Sequence, residues 1–229
     1  MTGDAVQTLW DTQAAQYDSA YDAPGRRGAL VRARLAAAAE LLGDAPGRVL
    51  DVGMGAGRLC AELAARGFEV TGVDASDAMV ELARRRLPER ADSLVRAQVE
   101  RLPFADGSFD AVIALGVLEY SAEVGAALVE LARVLRGGGT AVVSWPNFAG
   151  LPTIWRRRVL CPGARAAKRI VPVGGPVPPP PRHPLGESRF LALMGDAGLE
   201  PTRIVRLGAH GRPGHRLLAV QILVGARKA

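Results

Sequence analysis

Five short runs rich in branched apolar residues constrain this chain most: Arg48 to Val52, Phe68 to Asp74, Leu94 to Gln98, Phe109 to Leu115 and Thr140 to Trp145. Runs this short and this continuously apolar suit strands buried on both faces of a parallel sheet. Gly57 to Arg66, Asp77 to Leu87 and Ala122 to Leu135 carry Leu, Ala and Glu at three- and four-residue spacing, with Gly, Ser or Asp signals at their ends, the pattern of amphipathic helices. Repeated strand, helix and strand predict an α/β fold with a doubly wound sheet covered on both faces. Upstream, Ala29 to Leu42 reads as a strong helix and Val6 to Tyr17 as a weaker one. Downstream, a Pro- and Gly-rich stretch from Pro172 to Gly186 precedes a helix, Glu187 to Ala197, and a terminal strand pair, Leu199 to Leu207 and Arg216 to Val224. With 229 residues, 48% of them hydrophobic, the chain supports one sizeable core, so a single domain over 1–229 is expected.

The N-terminal sequence MTGDAVQTLWDTQ has no basic stretch followed by an apolar one, and no run reaches the roughly 18 apolar residues a membrane span requires. A soluble cytoplasmic protein is the expectation. Cys60 and Cys161 have neither CxxC spacing nor a His cluster, which predicts free thiols and no metal site. The formal charge is +6, yet Trp145 to Gly186 alone holds seven Arg and Lys and no acid, leaving about −1 for the remainder. The basicity belongs to one segment.

After the first strand comes Gly53-Met54-Gly55-Ala56-Gly57. In a doubly wound sheet the loop after the first strand borders the point where strand order reverses, which is where ligands bind. Glycines let the backbone turn tightly there and approach a ligand closely, beside the free N–H groups of the next helix. A dinucleotide fingerprint requires a third Gly three residues after Gly55, and that position is Arg58. Asp74 ends the second strand, 21 residues after Gly53, where a carboxylate can accept from two ribose hydroxyls. The alternative, a cap for the helix that follows, competes with Ser76 and Asp77 for the same role.

VLDVGMGAG (Val49 to Gly57), VTGVDAS (Val70 to Ser76), QVERLPFADGSFDAVIALGVLEY (Gln98 to Tyr120) and RVLRGGGTAVVS (Arg133 to Ser144) resemble, in order and spacing, the motifs of class I S-adenosylmethionine-dependent methyltransferases. Within that superfamily the chain is similar to the small-molecule group of quinone-biosynthesis and natural-product enzymes. The resemblance implies a Rossmann-like, seven-stranded, mostly parallel sheet whose last strand is antiparallel, in agreement with the terminal strand pair. It further implies an N-terminal helical lid over 1–44 and, after the fifth strand, an inserted basic, Pro-rich substrate cover over 146–186. It places Asp51, Gly53, Gly55 and Gly57 around the methionine end and ribose of S-adenosylmethionine, Asp74 on the ribose, and Ala75 and Met79 on the adenine. Met79 could equally be helix core. Gln98 stands where the family carries an Asp that binds the adenine amino group. Its amide oxygen can still accept, and the backbone of Val99 can serve the ring. Leu115 to Tyr120 should pass beneath the sulfonium. Tyr17 is a candidate lid over the methionine end, with Arg26 or Arg27 as partners for the ligand carboxylate; the competing reading packs Tyr17 on the sheet.

Transfer of a methyl group from a sulfonium is an in-line displacement, and alignment supplies much of the acceleration. Where the acceptor is a hydroxyl, a base helps. His183, just after the insertion, is the first candidate; His210 and His215 sit in a Gly-rich loop better suited to a surface turn; Tyr120 and Glu119 follow. Leu151, Ile154, Trp155, Val159 and Leu160 fall on one helical face, and Arg156, Arg157 and Arg158 spread over others. This basic amphipathic pattern suits an anionic or lipid-like acceptor or contact with a membrane surface, and a solvated cap over the pocket is the competing reading. Base recognition employs exposed aromatics interleaved with the charge, and only Trp155 qualifies, which argues against nucleic acid. The run Pro178 to Pro181 reads as a stiff strut. Abundant Ala, Arg and Gly suit a high-GC bacterial source and a tailoring step in antibiotic biosynthesis. Two alternatives stay open: a protein of this fold that binds the cofactor but catalyses a cyclisation or rearrangement or serves another enzyme, and an NAD-dependent oxidoreductase, which Arg58 argues against.

Overall fold

The computed structural model describes residues 3–19, 21–22, 24–43, 47–147, 185–208 and 219–229. Two helices, α1 (Gly3–Ser19) and α2 (Arg26–Leu42), lead into β1 (Arg48–Val52), α3 (Arg58–Ala65), β2 (Glu69–Asp74), α4 (Asp77–Arg86) and β3 (Leu94–Arg96). β4 (Phe109–Ala114), α5 (Val124–Val134) and β5 (Leu135–Pro146) follow, then α6 (Glu187–Asp196), β6 (Leu199–Gly208) and β7 (Ala219–Lys228).

The strands form one seven-stranded sheet in the order β3-β2-β1-β4-β5-β7-β6. β1 pairs in parallel with β2 and β4, and β3 and β5 extend the parallel array on either side. The last strand, β7, is antiparallel to both β5 and β6, as the resemblance implies. Successive strand residues face opposite layers. Val49, Ile113, Val142 and Leu223 pack with Ala38 of α2, Leu63 of α3 and Ala83 of α4. Leu50, Val112, Val143 and Ile222 pack with Leu128 and Leu131 of α5 and Phe190 and Met194 of α6. The central strands β1 and β4 are buried on both sides, which is why the sequence shows runs of Val, Leu and Ile there instead of alternation.

Some boundaries differ from the sequence reading. β5 begins at Leu135, five residues ahead of Thr140, because α5 passes into the strand through Gly137 to Gly139. A Cβ on Gly139 would lie 2.9 Å from the Asp110 carbonyl oxygen and 2.6 Å from Leu135 Cδ1, so close backbone approach, not a loop, explains a glycine there. β3 stops at Arg96, two residues short of Gln98, which instead bridges to Arg101. β7 runs four residues beyond Val224.

Candidate active site

Chain order reverses at β1, since β2 and β3 lie on one side of it and β4 and β5 on the other. The strand ends there surround a cavity of about 340 Å³. Its β1 wall is the glycine loop. The N–H groups of Gly53 and Met54 both donate to the Val73 carbonyl, at 2.8 and 3.0 Å, folding the loop back onto β2. Gly53 has φ +72°, and a Cβ there would sit 2.7 Å from Val117 Cβ; the loop touches the β4 loop with no room for a side chain.

Asp74 lines the cavity with its carboxylate held by two backbone donors, Gly55 N–H at 2.9 Å to Oδ2 and Ser76 N–H at 2.9 Å to Oδ1. Burial raises its pKa, against those hydrogen bonds. The helix cap is Ser76, whose hydroxyl accepts from Met79 N–H at 3.2 Å and donates to Asp11 at 2.6 Å. Asp74 is thereby free of the capping role, and each carboxylate oxygen keeps acceptor capacity for a ligand hydroxyl. Ala75, Met79, Gln98, Val99 and Leu115 line the same cavity. Met79 is also 2% exposed, so it belongs to the helix core as well as to the cavity lining.

α1 and the residues just after it close the opening with Gln7, Trp10, Tyr17 and Tyr21. Trp10 meets Tyr17 and Tyr120 edge to face, with ring centroids 5.1 and 5.4 Å apart. The arginine that breaks the dinucleotide pattern fastens this lid: Arg58 donates to Asp18 at 2.6 Å and to Asp22 at 2.6 Å. Arg86 of α4 reaches Asp18 at 2.9 Å and also the Ala56 carbonyl. Burial alone would raise the Asp18 carboxyl, but hydrogen bonds from Arg58 and Arg86 bring it below the usual carboxylate value.

Three expected site residues are not in the cavity lining. Asp51 is 2% exposed and turned toward Cys60, whose thiol lies 3.3 Å from its Oδ2. Burial pushes Asp51 up to about 7. Gly57 packs α3 on α4, since a Cβ there would meet Ala83 Cβ at 2.9 Å; the close packing that the dinucleotide fingerprint assigns to a later glycine is made here one residue earlier. Glu119 turns its carboxyl into the protein, with Oε2 buried and unpartnered among the described residues. Tyr120 lines the cavity. His183, His210, His215, Trp155, the arginines at 156–158 and the strut at 178–181 lie outside the described residues, as does nearly all of the cover. The same holds for the side chains of Arg26 and Arg27. Among the described residues no cluster of three His, Cys, Asp or Glu could hold a metal.

Residues 50–143 match the family described as methyltransferase domain. The demethylmenaquinone methyltransferase of Beutenbergia cavernae is 38% identical over 169 residues, 70% of this chain and 68% of that protein. The chain belongs to the class I S-adenosylmethionine-dependent methyltransferase family. Solved structures agree on the fold: a SAM-dependent methyltransferase from Thermotoga maritima superposes with a TM-score of 0.73 at 19% identity, covering 97% of this chain and 99% of that one. Magnesium protoporphyrin IX methyltransferase from Synechocystis, with bound SAH, gives 0.66 at 19% identity over 99% of each chain.

The cavity of this methyltransferase fits the cofactor. The glycine loop leaves a cradle that Cβ atoms would fill, and Asp74 offers two oriented acceptors for a ribose diol. Ala75, Met79 and Val99 are the apolar lining on which a purine would pack, and Gln98, exposed at the rim, would offer its amide to the purine edge. When bound, the cofactor supplies an activated methyl group. Sequence reasoning missed Arg34 of α2, which lies behind the lining residues Tyr17 and Gly116 and not in the lining itself. It is 8% exposed, donates to the Tyr17 hydroxyl at 3.3 Å, and its Nη1 would lie 2.7 Å from a Cβ on Gly116. A signal existed: Arg34 stands four residues from both Leu30 and Ala38, on the apolar stripe that packs on the sheet.

Proposed function

We propose that this methyltransferase alkylates a small lipid-like metabolite, a prenylated aromatic ring or a related isoprenoid, in a natural-product tailoring step. The observation that carries the reading is the joining of two unlike walls in one cavity. One is the polar wall of Gly53, Gly55 and Asp74; the other is the aromatic and aliphatic wall of Trp10, Tyr17, Tyr21, Leu115, Val117 and Tyr120. The first suits a ribose and the second suits an apolar acceptor beside a sulfonium, whose positive charge aromatic faces also attract. The named activity of the Beutenbergia relative supports a quinone-like ring, and the basic segment at 145–186 suits an anionic acceptor or an acidic lipid surface.

The residues act by placement. Asp74 fixes the adenosine, the lid excludes water, and Tyr120 forms part of the wall beside the reacting atoms. Burial, helped by the adjacent Glu119, raises the Tyr120 phenol far above its ordinary value, so near neutral pH it serves as a donor or aromatic surface and not as a base. His183 then remains the proposed base where the acceptor carries a proton to be lost.

The test incubates the purified chain with methyl-labelled S-adenosylmethionine and apolar and polar metabolite fractions of a bacterial extract, including a prenylated demethylquinol. Label entering the apolar fraction supports the reading. Retained binding of S-adenosylhomocysteine with no label in any fraction would sink it in favour of a cyclisation or partner role.

A further inference from the structure

Two buried polar side chains interrupt the apolar strands behind the cavity. Ser144 of β5 is fully buried and Gln221 of β7 is 8% exposed; both lie on the sheet face that Val142 and Leu223 turn toward α2. A hydroxyl and an amide in such surroundings cost stability unless they are hydrogen-bonded. Ser144 Oγ accepts from the Gly116 N–H at 2.9 Å, and Gln221 Nε2 donates to the same Oγ at 3.3 Å. The first of these bonds directs the chain after β4. β4 leaves β5 after the pair of Ala114 and Val143, whereas β5 stays paired with β7 as far as Pro146. Two residues beyond that last pair, the Ser144 side chain takes the Gly116 N–H in place of a β5 carbonyl, and Gly116 turns at φ +74°. The chain then crosses toward β1, where Val117 leaves no room for a Cβ on Gly53.

We propose that Ser144, held by Gln221, is a positioning residue for methyl transfer. Its hydroxyl sets the turn from Leu115 to Val117 against the glycine loop, and so shapes the part of the cavity that takes the sulfur end of the cofactor. This rests on the methyltransferase reading. Asp74 and Gly55 would hold the ribose, and the purine would leave it toward Ala75, Met79 and Val99. The rest of the cofactor must then run past Gly53 along Leu115, Gly116 and Val117. An error in that turn is felt by the sulfur and its substituents and not by the adenosine. In-line transfer depends on such placement, and a displacement of about 1 Å can cost about a hundredfold in rate. Neither Ser144 nor Gln221 is in the cavity lining; they act only through Gly116.

The experiment measures by calorimetry the binding of S-adenosylhomocysteine and of adenosine, which ends before the sulfur, to the wild type, Ser144→Ala, Ser144→Thr and Gln221→Met. Ser144→Ala is expected to weaken S-adenosylhomocysteine about tenfold and to leave adenosine within about twofold. Ser144→Thr keeps the hydroxyl and recovers most of the loss. Gln221→Met keeps the hydroxyl but frees its rotamer, and costs S-adenosylhomocysteine about threefold with adenosine unchanged. Hydrogen exchange reports the bond itself: the Gly116 amide of the ligand-free protein should exchange about tenfold faster in Ser144→Ala than in the wild type, and unchanged exchange would overturn the proposal at its first step. Equal losses for both ligands in Ser144→Ala would assign Ser144 a purely structural role and overturn it too, as would no loss for either. A Ser144→Thr variant as weak as Ser144→Ala would place the effect in packing instead of the hydroxyl, with the same result. Should Ser144→Ala fail to fold, Gln221→Met decides alone, and an equal loss for both ligands, or none, sinks the proposal. Failure of the wild type to bind either ligand would instead overturn the cofactor reading itself.

Discussion

Asp74 is where one carboxylate does two jobs: its oxygens hold Gly55 N–H and Ser76 N–H, and their remaining lone pairs face the cavity. Asp74→Ala should lose both the loop geometry and the ribose contacts, lowering S-adenosylhomocysteine affinity by about a hundredfold or more. Asp74→Asn, which keeps the shape and half of the acceptor capacity, should cost about tenfold, and calorimetry on the two variants checks the order. Asp51 calls for the opposite kind of test. Its pKa is about 7 in the fold and near 3.9 in an unfolded chain, so the folded state holds the proton more tightly. Its contribution to stability is therefore full below about pH 4 and is lost as pH rises to 7. Ligand-free Asp51→Asn should melt close to wild type at pH 5 and above it at pH 8, and a difference that stays flat across that range would refute the buried-acid account. The glycines and Asp74 were legible because backbone geometry and a strand end restrict them in any chain of this fold. The surroundings of Arg34 were not, because its spacing marks only a place on the apolar stripe of α2, and its contacts with Tyr17 and Gly116 depend on elements distant in sequence.

The strands β1, β2 and β4 were readable nearly to the residue because apolar runs and crossover helices leave little choice. β5 was read short because glycine argues locally against a strand, and the close approach of Gly139 to Asp110 outweighs it. α1 was read as a weak helix for a related reason. Its face toward the protein is a set of polar and aromatic groups: Asp11 accepts a hydrogen bond from the Ser76 hydroxyl, Asp18 forms ion pairs with Arg58 and Arg86, and Asp22, just after the helix, pairs with Arg58. The Asp18 pairs are partly buried, with 17% of its side chain exposed, so they should outweigh ordinary surface pairs. Asp18→Asn should therefore speed cofactor release several-fold while leaving the melting temperature within a few degrees, read by stopped-flow fluorescence of Trp10 on the lid. High salt should do the same to the wild type and little to the variant. Because hydrogen bonds hold Asp18 ionised below its unfolded pKa, the latch weakens as pH falls through that range. At the other end of the sheet, Trp145 and Phe190 stack at 4.7 Å and 14°, and Trp145 Nε1 donates to the Leu185 carbonyl at 3.0 Å. This fastens α6 to the sheet where the chain re-enters it. Phe190→Ala should cost about 3–5 kcal/mol in denaturant unfolding without changing the affinity for S-adenosylhomocysteine.

The whole molecule joins two halves of the sheet with different tasks. The ends of β1, β2 and β3 would carry the adenosine and the end of β4 the acceptor side, and the +7 segment begins in the sequence at the end of β5. Because the cofactor wall is assembled from strand ends and a lid distant in sequence, it exists only in the folded chain, and ligand binding must raise stability. Saturation at about one hundred times Kd is worth about 2.7 kcal/mol, which for a domain of this size corresponds to a rise in Tm of about 5–11 °C. The basic segment should be silent in that assay and visible in another. Replacing Arg156, Arg157 and Arg158 together with Ser removes three of its seven positive charges. It should preserve the full ligand-induced rise in Tm while weakening binding to vesicles rich in anionic lipid by about two orders of magnitude at most, at roughly 1 kcal/mol per arginine near the surface. Vesicle sedimentation beside a thermal melt separates the two halves. If the triple variant loses the thermal shift, the segment belongs to the cofactor site. If it keeps both the shift and any vesicle binding the wild type shows, the arginines cap the pocket as a solvated face, and selection of the acceptor rests on the aromatic wall of Trp10, Tyr17 and Tyr120.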